Sequence, residues 1–85
     1  MGSKEKLIER FKKQPKDFTF EECQTLLSYF GYAKHNKGAT SGSRIRKKNE
    51  ETGQYIDLHR PHPSSVMKAW MMKAIYQHLK NNGLI

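Results

Sequence analysis

A single cysteine, Cys23, excludes an intramolecular disulfide, and nothing stands near it at a metal-ligand spacing. The chain lacks any apolar run approaching the roughly 18 residues of a membrane span. Its start, Met1 to Lys6, leads into charged sequence without a signal-peptide core. These lacks point to a soluble protein of a reducing compartment, the cytoplasm, with no membrane partner. Also missing are the Gly-Lys-Ser/Thr of a phosphate loop, a nucleophile elbow and a paired acidic metal cage, so nucleotide hydrolysis finds no support. With 85 residues there is room for one core only, and the nine aromatics give it something to bury.

Acidic side chains are absent from residues 34–48, which carry six basic ones, and from 58–85, which carry four. Residues 1–33 are nearly balanced and 49–57 are purely acidic, so the formal charge of +8 is concentrated in the second half. A concentrated positive field draws polyanions, chiefly nucleic acid, through counterion release and steering. The basic block does not lie on an amphipathic helix, which argues against a membrane surface as its target.

Lys4 to Gln14 places Leu7, Ile8 and Phe11 on one face of a peripheral helix that must end before Pro15. Thr19 and Glu22 form a capping box, with Phe18 and Cys23 placed as a hydrophobic staple, so a second helix starts near Phe20. Its stripe is Cys23, Leu26, Leu27 and Phe30, and Gly31 stops it. Strands then follow at Tyr32 to Lys34, Ser43 to Lys48 and Gln54 to His59, separated by the loop Asn36 to Gly42 and the turn Asn49 to Gly53. They read as a three-stranded antiparallel meander. Arg60-Pro61-His62-Pro63-Ser64 is a rigid, exposed loop, because its prolines forbid helix and sheet. A last helix is capped by Ser64 or Ser65, with Met67, Met71, Ala74, Ile75 and His78 on its buried stripe and Val66 and Trp70 flanking it. Gly83 and Leu84 end it as a Schellman motif.

Ile45 must share a sheet face with Ile56 and Leu58, because the helices cover one face only. A four-residue turn at Glu50 to Gly53 sets Ile45 opposite Leu58, Arg46 opposite Asp57 and Arg44 opposite His59. Arg44, Arg46, Lys48, Tyr55, Asp57 and His59 then share the open face, a cationic and aromatic surface suited to a phosphate backbone. The candidate RNA contacts are Lys37, Arg44, Arg46, Lys48 and Arg60. RNA cleavage needs a base for the 2′-hydroxyl proton, an acid for the leaving 5′-oxygen and a cation for the phosphorane charge. His59, His62 and Arg44 supply those types as candidate catalytic residues. His59 and His62 are only two ligands where zinc takes three or four, so neither a metal nor another cofactor is expected.

The order helix, three strands, helix, with Gly42-Ser43 opening the middle strand, resembles the HicA family of toxin–antitoxin toxins. Leu58 through His62-Pro63, Lys73-Ala74-Ile75 and Gly83-Leu84 resemble that family's His-Pro segment and closing helix. The resemblance spans residues 18–85 and leaves 1–17 as an added N-terminal helix. It implies an α+β, double-stranded-RNA-binding-domain-like fold, a metal-independent endoribonuclease that cuts mRNA, and a HicB-like antitoxin protein that covers the active face. His62 matches the family's later histidine, whereas the family's catalytic histidine is replaced by Arg44, which stays protonated and cannot act as a base. Two expectations stand side by side: a HicA-like toxin whose base is His59 or His62, and a non-cleaving RNA-binding module of the same fold.

Overall fold

The computed structural model of the chain describes residues 2–35 and 44–85. Local sequence sets the first two elements. Helix α1 (Ser3–Lys12) is closed by Gln14, whose positive φ of 52° takes the chain out of the helix just before Pro15. Helix α2 (Phe20–Tyr29) opens on the expected capping box: Thr19 Oγ1 accepts from the Glu22 amide at 3.1 Å, and Glu22 Oε1 accepts from the Thr19 amide at 2.9 Å. Phe18 and Cys23 are both fully buried beneath it, as a staple requires. Gly31, at φ 91°, ends the helix in a conformation that a side chain would resist.

Strands β1 (Tyr32–Lys34), β2 (Arg44–Asn49) and β3 (Tyr55–His59) form an antiparallel sheet in the order β1-β2-β3. The apolar parity fixes the register: Ile45 faces Leu58, Arg46 faces Asp57 and Arg44 faces His59. Asn49, expected in the turn, is instead the last residue of β2 and is fully buried. Its amide Nδ2 donates to the Phe30 carbonyl at 3.0 Å, and its Oδ1 accepts from the Glu51 and Thr52 amides at 2.9 and 3.1 Å. One side chain thus ties the end of α2 to the β2–β3 turn. Lys47 also lies on the covered face, 8% exposed, directly opposite Lys34. Burial, then the Lys34 charge, lower its pKa.

Helix α3 (Ala69–Asn81) starts later than the serines suggest. Val66 instead forms an antiparallel bridge with Thr19 on the approach to α2: the Phe20 amide donates to the Ser65 carbonyl at 2.8 Å and the Met67 amide to the Phe18 carbonyl at 2.7 Å. Their backbone groups are committed across the fold, so helix formation waits for Lys68, which caps without a side-chain hydrogen bond. The shift also changes the stripe. Met71, Met72, Ile75 and Leu79 are the buried positions of α3, Met67 is buried ahead of it, and Ala74 is exposed. The loop before the helix is exposed except for Pro61, which is buried against expectation. At the far end, the Leu84 amide reaches the Leu79 carbonyl at 2.9 Å and the Gly83 amide reaches that of Lys80 at 3.1 Å, the expected Schellman pair.

The result is an α+β domain in which one sheet face and the helices enclose a core that Phe11, Leu26, Leu58, Ile75 and Leu79 help fill. Phe11 brings α1 into that core, its ring 5.5 Å from Phe18 and 5.8 Å from Tyr76. Within the core margin, Tyr32 Oη and His78 Nε2 are hydrogen-bonded at 2.7 Å, and burial lowers the His78 pKa. Among the described residues no helix is long and apolar enough to cross a membrane.

Candidate nucleic-acid interface

The uncovered face of the sheet collects the even-numbered residues of β2 with the odd-numbered residues of β3, because strand side chains alternate. Arg44, Arg46, Tyr55 and His59 are exposed there, and Lys48 and Asp57 are half-buried. Arg46 grips Asp57 with two bonds, Nε to Oδ1 at 2.8 Å and Nη2 to Oδ2 at 3.3 Å. That hydrogen bonding holds the Asp57 carboxyl below its ordinary pKa. The pair neutralises part of the face; among the described residues Arg44 and Lys48 form no ion pair, although the Arg44 charge also helps to lower the Asp57 pKa.

Tyr55, 45% exposed, is the centre of a small aromatic and cationic group. The Arg46 guanidinium lies 5.4 Å and the Lys48 ammonium 5.6 Å from its ring centroid, and the His35 ring meets it edge-on at 5.3 Å. His35 joins this face because its amide continues the β1–β2 ladder, donating to the Arg46 carbonyl at 2.8 Å. Sequence reasoning gave His35 no role. Its parity relative to Tyr32 would have placed it on the open side once β1 was extended by one residue.

Where β3 leaves the sheet, the 60–64 loop and the start of α3 enclose a cleft of about 410 Å³. Its lining includes His59, Arg60, His62, Lys68 and Trp70, with the buried Pro61 and Met71 behind them. Both candidate histidines therefore open onto one space, and Arg44 stands across the strand pair from one of them. Arg60 is braced by the Phe20 ring at 5.5 Å and also borders a neighbouring hollow of about 340 Å³ that reaches Glu21 and Gln24. Lys37 lies outside the described residues. Lys68 and Trp70 were missed as site residues: the assumed helix start at Ser64 or Ser65 made them ordinary helical positions, whereas they stand at the first turn of α3 beside the loop.

Away from this surface, the Cys23 thiol is buried and its pKa is pushed up to about 12, which leaves it inert. Among the described residues no group of three His, Cys, Asp or Glu side chains is placed to hold a metal ion. Compared with protein-family models, with curated proteins and with solved structures, the chain matches none.

Proposed function

We propose that this chain is a HicA-like, cytoplasmic RNA-binding toxin with a double-stranded-RNA-binding-domain-like fold, that mRNA is its target, and that a HicB-like antitoxin silences it by covering the sheet face. The observation that carries the reading is the open face itself, where Arg46 and Lys48 flank an exposed tyrosine and Arg44, opposite His59, stands at the end that runs into a cleft bordered by His59 and His62. Phosphates would meet Arg44, Lys48 and Arg60, and an acidic partner would meet the same cations.

The cleft carries the groups for strand cleavage without a metal. A neutral imidazole, His59 or His62, takes the 2′-hydroxyl proton as that oxygen attacks phosphorus. The bond from phosphorus to the 5′-oxygen breaks, the other imidazole in its protonated form supplies the leaving oxygen's proton, and a 2′,3′-cyclic phosphate remains. Arg44, opposite His59, holds the phosphorane charge. A specific observation favours a second reading, a non-cleaving RNA-binding module: Arg44 occupies the position where the HicA resemblance places the catalytic base.

The deciding experiment incubates RNA with the purified protein in EDTA. Cleavage that falls about 10²–10⁴-fold in His59→Ala or His62→Ala supports the toxin reading. An inert protein that gains cleavage on Arg44→His is a binding module with a disarmed site. If RNA binds neither the protein nor its Arg44→His variant at low salt, both readings fail.

A further inference from the structure

We infer that the cleft beside α3 takes one unpaired nucleobase, stacked on Trp70 next to His59, so that RNA reaches this domain as a single strand or an opened loop rather than as a continuous duplex. The inference rests on the reading of the sheet face as an RNA surface and specifies the form of RNA that the surface admits.

Trp70 is the observation that asks for an occupant. It is 59% exposed, while its chain neighbours Met71 and Met72 are buried and supply the packing of that turn. A large indole left in water at the mouth of a cleft contributes little to the core, and its flat face is available to a flat ligand. The His59 ring stands 6.1 Å from the indole, centroid to centroid, at 51°, so two aromatic groups border the same opening. Buried Pro61 and Met71 give the space an apolar back, and Arg60 and Lys68 put cations on its rim. A second hollow of about 400 Å³, shared with Gln14, Ala69 and Lys73, also borders the indole.

An aromatic plate with cations around it is complementary to a base flanked by phosphates, and a base stacks on it only when it has left its own helix. In a continuous A-form duplex the bases are stacked inside and the protein meets sugar hydroxyls and phosphates, for which an indole face offers nothing. An acidic peptide could answer the cations, but it has no use for the Trp70 and His59 rings. The placement also suits the chemistry proposed for the cleft, because in-line attack by a 2′-hydroxyl needs a backbone free to adopt the reacting geometry.

Trp70 is the sole tryptophan, so the protein's own fluorescence reports this site. The probes are a 2′-O-methyl oligouridylate strand, which cannot be cleaved, the same strand paired with oligoadenylate as a duplex, and polyglutamate. The single strand is expected to bind and to quench Trp70, and the duplex to bind more weakly without quenching. Trp70→Ala should weaken single-strand binding by about 5- to 150-fold with the slope against salt unchanged, Trp70→Phe should retain most of it, and both should unfold at the wild-type temperature. Charge reversal of Arg44 and Lys48 should weaken strand and duplex alike, which reads out the sheet face separately. Equal binding of strand and duplex with no effect of Trp70→Ala overturns the stacking inference while leaving the RNA surface standing. Quenching by polyglutamate in place of RNA, or no RNA binding of either form at low salt, overturns both.

Discussion

Replacing Asn49 by Ala should cost this domain about 2–3 kcal/mol, more than its position at a strand end would suggest. The side chain is fully buried and all three of its recorded hydrogen bonds go to backbone groups, one to the Phe30 carbonyl and two from the Glu51 and Thr52 amides. Each is worth about 1 kcal/mol net, and the three losses are unequal. Glu51 and Thr52 are exposed, so their freed amides recover water, while the Phe30 carbonyl is at the half-buried end of α2 and recovers it less well. For a domain of this size 1 kcal/mol moves the melting temperature by about 4–8 °C, which predicts a fall of about 10–20 °C in thermal denaturation followed by circular dichroism. Asn49→Asp keeps the acceptor for the two turn amides but removes the donor and sets a carboxylate against the Phe30 carbonyl, so it should be at least as harmful at neutral pH. A fall of less than about 3 °C for Asn49→Ala would show that the turn and α2 do not depend on this side chain.

The His78 pKa is lowered by burial, so on acidification the unfolded chain takes up that proton first: the contribution is complete above about pH 6.5 and is lost as pH falls below it. The melting temperature of His78→Gln should therefore drop less than wild type between about pH 7.5 and about pH 5.5, and equal drops would refute the assignment. Lys47→Met removes a mostly covered cation facing Lys34 and keeps an apolar stem, so it should raise the urea midpoint, with a gain on the order of 1 kcal/mol. Phe11→Ala should cost about 3–5 kcal/mol because the ring is fully buried against Phe18 and Tyr76, and a loss below about 1 kcal/mol would mean that α1 is only loosely held.

The elements whose formation depends on neighbours in sequence were legible from sequence. Thr19 with Glu22, Gly31, and Gly83 with Leu84 mark helix ends through local hydrogen bonds, and the parity of Ile45, Ile56 and Leu58 sets the hairpin register. That register sets Arg44 opposite His59 and Arg46 opposite Asp57. What escaped was whatever distant backbone decides. Ser64 and Ser65 looked like caps, yet the chain around Val66 pairs with Thr19, far away in sequence, and delays α3 to Ala69. The delay turned Trp70 from the flank of a helix into the edge of a cleft. Asn49 differs for a related reason: asparagine is a turn residue by local preference, and its pairing with Tyr32 together with its three side-chain partners places it at the strand end.

Among the described residues, the cleft is lined from one stretch of chain, residues 59–71. Within that stretch the positions committed to the interior are Pro61, Met67 and Met71, whereas Arg60, His62, Lys68 and Trp70 face solvent. Ligand preference in this domain is therefore separable as a cassette: a library randomised at Arg60, His62, Lys68 and Trp70 would vary the recognition chemistry while Pro61, Met67 and Met71 keep the segment anchored.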